Sequence, residues 1–434
     1  MLKKIAIPLM LSGLVLAITL HAEETATKSN VTQTLPVEDI RLFTDVFHQI
    51  RANYVNEVSD KELMEYAIKG MLNGLDPHSA YLNKNDYSQI QEVTSGEFGG
   101  VGIEIILENG FMKVVSPIDD TPAKKAGIKS GDLIIKIDDH LVKGLSMDEG
   151  IDLMRGKKGS KISLTVMREN ESKPIVFTMT RDIIKIQSVK SSILEKQWGY
   201  LRISQFQSQT GQDAKEHIEK MLDKSLNQLQ GLIIDLRDNP GGVLQSAVDI
   251  ADLFLNEGLI VYTKGRAAES QESFNAHADV YFTGKPIVVL INSGSASASE
   301  IVAGALQDHK RAVIAGTTSF GKGSVQVILE LPNDRGMKLT TARYYTPSGR
   351  SIQAEGIKPD IIIQDASITL NEKQAIYKEA NLTKHLENND ENKKVNKKDK
   401  TKDEKEPNPL LDDYLLYEAV NLLKAMNLAQ SAKK

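Results

Sequence analysis

Three short apolar runs in the second half of the chain, residues 232–236, 286–291 and 312–315, constrain its fold more than any other feature. They are too short for buried helices and apolar at almost every position, the pattern of strands covered on both faces. The first is followed by the turn Asn239-Pro240-Gly241-Gly242 and a helical pattern with Val243, Leu244, Ala247, Val248 and Ala251 on one side. The second leads through small residues at 293–299 into a helical pattern from about residue 300 to 309. This alternation predicts an α/β layer whose strand-end loops gather at one edge, where sites usually form.

At 434 residues the chain exceeds one hydrophobic core, and about 150 residues per domain gives roughly three units. Its 53 basic and 58 acidic residues leave a formal charge of -5, so no basic field exists for nucleic acid, which is not an expected partner. The absence of cysteine removes disulfides, thiolate metal sites and cysteine nucleophiles. The eight histidines contain no His-Glu-x-x-His pair, and neither a metal nor an organic cofactor is expected.

Residues 1–22 carry Lys3 and Lys4, an apolar run from Ile5 to Leu20, and Ala22 before the first acids, the layout of a secretory signal peptide. The run is shorter than a bilayer span and is interrupted by Pro8, Ser12 and Gly13, which favours a cleaved leader over an anchor. The expected compartment is outside the cytoplasm, in a periplasm, with the protein soluble or membrane-associated through an uncleaved leader.

Residues 36–86 read as a helical region: Ile40, Phe43, Val46, Phe47 and Ile50 recur at helical spacing, then Leu63, Tyr66, Ala67, Gly70 and Met71. Leu75-Asp76-Pro77-His78-Ser79 breaks the pattern as a turn, with His78 read as a turn or packing residue. Near Gly96 the period becomes that of strands. Residues 87–182, with the run Ala126-Gly127-Ile128-Lys129-Ser130-Gly131-Asp132-Leu133-Ile134, resemble a PDZ domain. Such a domain holds an extended peptide at a sheet edge while loop N–H groups grip its terminal carboxylate. Gly99, Gly100, Val101, Gly102 and Ile103 occupy that loop by resemblance, and glycine there lets backbone approach a carboxylate. At the other end, residues 387–408 form a charged linker with seven acids and seven lysines over 387–406, and 409–430 regain a helical stripe that must pack on its own body or another subunit.

Two segments carry candidate chemistry. Gly294-Ser295-Ala296-Ser297-Ala298-Ser299-Glu300 opens a helix, where a nucleophile meets a site favouring negative charge. Ser297 and Glu300 also fit a capping box, which needs no catalysis. Residues 316–322 fit the G-x-x-x-x-G-K phosphate loop, but Gly323 stands where Ser or Thr is needed and residues 324–331 alternate as a strand instead of opening a helix.

Together with Gly199-Tyr200-Leu201-Arg202-Ile203-Ser204, Asp235-Leu236-Arg237-Asp238-Asn239-Pro240-Gly241-Gly242 and Phe320-Gly321-Lys322-Gly323, these motifs make the chain resemble the carboxyl-terminal processing, or tail-specific, proteases over nearly its whole length. The resemblance implies a crotonase/Clp-protease-like α/β serine protease core at 183–365, an inserted β-rich PDZ domain and helical terminal segments. It makes Ser297 the nucleophile, Lys322 the general base and Gln326 its orienter. The oxyanion would meet the N–H of Ala298 and one from Gly241 or Gly242. Lysine acts as a base only when neutral, so burial or a nearby cation must lower its pKa.

Two other readings stand beside this one. A Ser-His-Asp protease would use His309 beside Asp308, or His277 with Asp279; a silent PDZ adaptor of the cell envelope would use the serine loop only as a helix cap. Protein clients with accessible carboxyl termini are the expected partners, and the apolar stripes of the terminal helices predict a homo-oligomer contact. The client and any activating partner are not identifiable from the sequence.

Overall fold

The computed structural model describes residues 36–108, 110–278, 280–364, 366 and 413–432. The leader at 1–22, the charged linker at 387–408 and the first residues of the terminal helix at 409–412 lie outside the described residues. The chain divides into two units between Ala67 and Ile68. The first contains helix Val37–Asn53 and the start of helix Asp60–Asn73. Glu38 and Asp39 in the first turn and Arg51 in the last suit the helix dipole. Val37–Asn53 buries no residue. Its Phe43, Val46, Phe47 and Ile50, with Leu63 and Tyr66, line an apolar groove of about 360 Å³.

In the second unit, the three apolar runs become adjacent parallel strands, Gly231–Asp235, Ile287–Ile291 and Val313–Gly316. They form the middle of a six-stranded sheet that begins with the antiparallel pair Val189–Leu194 and Trp198–Ile203 and ends with Ile361–Ile362. Alternate side chains supply the two faces. Leu232, Ile234, Val289 and Ile291 pack under helices Thr210–Lys224, Leu244–Asp252 and Ala298–Asp308. Ile233, Val288, Leu290 and Ala315 meet Leu415, Leu416, Ala419, Val420 and Leu423 of helix Tyr414–Ser431. The terminal helix therefore spends its stripe on its own sheet. Arg237 clips it in place, donating to Asp235 Oδ2 at 2.6 Å and to Asp413 Oδ2 at 2.7 Å, while Asp413 accepts from Leu416 N–H.

A second sheet runs Ala80–Leu82, Arg335–Tyr345, Leu259–Gly265, Ser273–Asn275, with Ser324–Leu331 paired to the free side of Arg335–Tyr345. Ala80–Leu82 precedes the PDZ-like module in the chain, so that module is an insertion into the core. It leaves and returns through the antiparallel pair Glu97–Gly100 and Asp182–Lys185. It has its own sheet, Ile103–Glu108, Phe111–Pro117, Leu133–Ile137, Lys161–Met167 and Ile175–Thr180, and its own core around Met112, Ile134, Ile137 and Leu164. Ile103–Glu108 and Ile175–Thr180 are its edge strands, and Ile106 and Leu107 of the first are exposed. The architecture is the expected α/β core with an inserted PDZ domain.

Because Leu423 is fully buried between the last helix and the sheet, Leu423→Ala should lower stability by about 2–5 kcal/mol in urea unfolding. Leu428→Ala on the same helix, where the leucine is 71% exposed, should leave it unchanged.

Candidate active site

Ser297 is the cap of helix Ala298–Asp308 and holds φ +56° and ψ -113°, a conformation that costs a non-glycine residue energy and must be enforced from outside. Glu300 enforces it. This fully buried carboxylate accepts from Ser297 N–H at 2.7 Å, Ser319 Oγ at 2.6 Å, Gly321 N–H at 2.7 Å and Lys322 N–H at 2.9 Å. The predicted capping pair is thus one quarter of a clamp joining the serine loop to the lysine loop. Burial pushes the Glu300 carboxyl up from its ordinary value, against the four donors that favour its ionised form.

Ser297, Lys322 and Gln326 open on one cavity of about 490 Å³, shared with Lys338 and Tyr344. The Ser297 side chain is hydrogen bonded to the hydroxyl of buried Tyr344, which also donates to the Lys322 carbonyl. Among the described residues nothing accepts a hydrogen bond from Lys322 Nζ. The expected bond from the amine to Gln326 is therefore not formed; the Gln326 amide donates instead to Ser324 Oγ at 2.9 Å and Thr340 Oγ1 at 3.2 Å. Burial, and after it the charge of Lys338, holds the Lys322 pKa below that of an ordinary lysine, with Glu300 acting in the opposite sense.

At the cavity rim the N–H groups of Ala298 and Gly242 have no acceptor among the described residues. The Gly241 N–H is occupied, donating to Asn239 Oδ1 at 2.9 Å. Gly241 and Gly242 have φ of +97° and +142°, and a side chain at Gly242 would collide with the Phe206 carbonyl.

The histidine alternatives are remote. His309 follows the carboxyl end of the helix that Ser297 begins, about 18 Å away at 1.5 Å per residue, and its Nε2 bonds the Leu259 carbonyl. His277 pairs with Asp252, and Asp279 lies outside the described residues. Lys322 precedes strand Ser324–Leu331 and no helix, against a phosphate loop. His78 is a turn residue, as expected, yet it lies near enough to Lys322 for that charge to add to burial in lowering its own pKa. In the PDZ-like module, Val101 and Gly102 present N–H groups with no acceptor among the described residues, beside the open edge of Ile103–Glu108. Gly99 accepts from Gly156 N–H and Gly100 ends its strand.

Sequence reasoning does not single out Lys338, Thr340 or Tyr344. All three come from strand Arg335–Tyr345 and reach the cavity or its wall through strand pairing with Ser324–Leu331, a long-range register that local periodicity does not encode.

The sequence model of peptidase family S41 matches residues 197–363, that of the PDZ domain 99–179, and that of the activating protease CtpB N-terminal domain 15–86. A carboxy-terminal-processing protease from Bartonella bacilliformis is 50% identical over 323 residues, covering 74% of each chain. A carboxyl-terminal-processing protease from Synechocystis is 38% identical over 331 residues, covering 74% of this chain and 76% of its own. Among solved structures, a photosystem II D1 C-terminal processing protease aligns with 28% identity and a TM-score of 0.43, over 75% of this chain and 92% of its own.

All four neighbours of Glu300 donate, two to each carboxylate oxygen, so Glu300→Gln would turn an amide N–H₂ against two of them. Stability should fall by about 1–3 kcal/mol in urea unfolding, whereas Glu330→Gln, an exposed change on strand Ser324–Leu331, should not alter it.

Proposed function

We propose, for a chain that belongs to the carboxy-terminal processing proteases of peptidase family S41, that Ser297 is the nucleophile, Lys322 the general base and Gln326 the group that aims the lysine. The protein is a serine-type peptidase whose clients are proteins cut near their carboxyl ends. One observation carries the assignment: a serine in an enforced, strained cap, a partly buried lysine of lowered pKa and the backbone N–H groups of Ala298 and Gly242, without acceptors among the described residues, converge on a single cavity.

In this reading the Ser297 hydroxyl exchanges its Tyr344 partner for the Lys322 amine, a side-chain rotation within the same cavity. The neutral amine takes the proton as Oγ attacks the scissile carbonyl. The oxyanion is received by the N–H groups of Ala298 and Gly242, since that of Gly241 is already spent on Asn239. The resulting ammonium returns the proton to the leaving amine, and water then releases the acyl-enzyme with the lysine again as base. The client's carboxyl-terminal stretch adds to the free edge of Ile103–Glu108, with its carboxylate at Val101 and Gly102. The work is done outside the cytoplasm, after removal of the leader.

Ser297→Ala and Lys322→Ala should each abolish cleavage of an unfolded reporter with an apolar carboxyl terminus while leaving circular dichroism unchanged. Equal activity in both variants and the wild type would overturn the dyad; inert wild type that still binds the tail would favour the adaptor. Wild-type activity should rise with pH through one lysine-like ionisation below about 10.4. Lys338→Gln removes a like charge, so the Lys322 pKa should rise and the acid limb move to higher pH.

The homo-oligomer contact narrows to the first unit, because the carboxyl-terminal helix is covered by its own sheet. Support comes from helix Val37–Asn53, which exposes Ile40, Phe43, Val46 and Ile50. Light scattering at micromolar concentration should give a mass above the monomer, reduced by Val46→Glu; a monomeric wild type would refute the contact.

A further inference from the structure

The Gln326 amide is held by a chain of hydrogen bonds whose polarity can be followed from a single carboxylate. Asp76 lies in the turn before strand Ala80–Leu82 and accepts four bonds: from His78 N–H at 2.8 Å, Ser79 N–H at 2.9 Å and Thr340 Oγ1 at 3.2 Å on Oδ1, and from Ser79 Oγ at 2.7 Å on Oδ2. Although desolvation opposes it, these donors bring the Asp76 pKa down to about 2, so the group is an anion, able only to accept, across the neutral range. The Ser79 hydroxyl also accepts from Thr340 N–H at 3.1 Å, which locks the turn to strand Arg335–Tyr345.

Thr340 has one hydroxyl proton, and it points at Asp76. What Thr340 offers on its other side is lone pairs. Gln326, its partner in the strand register, can therefore meet it only with the N–H₂ end of the amide. The second amide proton goes to Ser324 Oγ. Both donors are spent, and Oε1 has no hydrogen-bond partner among the described residues.

We propose that Asp76 and Thr340 are positioning residues of the protease, acting through Gln326: they fix its amide so that the carbonyl oxygen, and not the N–H₂, is available to Lys322. With the amide reversed, an N–H would donate to the lone pair of the neutral lysine, the same lone pair that must take the proton from Ser297. The inference rests on the reading of Gln326 as the orienter of Lys322. It adds two residues 264 positions apart in the chain, one of them in a turn outside the protease motifs.

The test is a mutant cycle on reporter cleavage, with kcat and KM separated and folding checked by thermal denaturation. Gln326→Ala is measured first, and wild-type kcat in it would refute the orienter reading itself. If Gln326→Ala is impaired, Thr340→Val, which keeps shape and removes the hydroxyl, should lower kcat about 10-fold or more with KM little changed. Thr340→Ser should restore kcat to within about threefold of wild type. In the Gln326→Ala background, Thr340→Val should cause no further loss, because its effect passes through the amide. Wild-type kcat in Thr340→Val, or the same loss with and without Gln326, would overturn the proposal while leaving the orienter reading intact. Should the valine variant not fold, Asp76→Asn against Asp76→Ala decides. Asparagine keeps the acceptor oxygen on His78, Ser79 and Thr340 and should retain kcat, whereas alanine should lose it only when Gln326 is present; equal losses in the two would refute the proposal.

Discussion

A buried carboxylate with four donors around it holds the candidate active site together. Glu300 is inaccessible to solvent, and taking a carboxylate out of water is costly unless every lone-pair direction is used. Here the donors come from two loops that belong to different parts of the chain: Ser297 from the turn after Ile287–Ile291, and Ser319, Gly321 and Lys322 from the turn after Val313–Gly316. Ser319 Oγ in turn accepts from Ile357 N–H at 2.6 Å, which draws in a third segment. The separation of serine and lysine is thereby set by one rigid group and not by two independent loops. The strained backbone at Ser297 is sustained by the same bonds.

The site lies where two sheets meet, and each contributes what its geometry suits. The parallel sheet ends in loops, and a loop running into a helix exposes the N–H groups of Ala298 and, across from it, Gly242. The second sheet contributes side chains from paired strands, Gln326 from one and Lys338, Thr340 and Tyr344 from the other. Paired strands have little freedom, so an amide there can be oriented by a hydroxyl opposite it. The inserted PDZ domain joins this second sheet's neighbourhood through Ala80–Leu82 and helix Lys84–Ser95, whose end accepts Ser208 N–H at the Thr94 carbonyl.

Much of this is legible in the residues. The three apolar runs are the central strands because full burial on both faces leaves no polar alternation to misread. The phosphate-loop pattern at 316–322 fails on the strand alternation of residues 324–331, and Ser324–Leu331 is indeed a strand. The capping spacing of Ser297 and Glu300 is also correct but tells only part of the story: three of the four Glu300 donors lie 19 to 22 residues away and leave no mark on local pattern. Lys338, Thr340 and Tyr344 are invisible for the same reason. The choice between Gly241 and Gly242 needs the Asn239 side chain, whose bond to Gly241 N–H depends on the turn geometry.

For the proposed role of Lys322 as base, the clamp creates an electrostatic problem that the rest of the cavity must solve. A carboxylate near a lysine favours the ammonium, and an ammonium cannot accept a proton from serine. Glu300 does act on Lys322 in that sense, yet the lysine's pKa is lowered on balance, because burial is the larger effect and Lys338 adds a like charge on the same cavity. The Glu300 charge is also largely committed to backbone and hydroxyl donors, none of them the lysine amine. Lys322 contributes its backbone N–H to the anion while its side chain stands free of it. One residue can thus be anchored by a carboxylate and still keep a basic amine, provided the anchoring is done by the main chain.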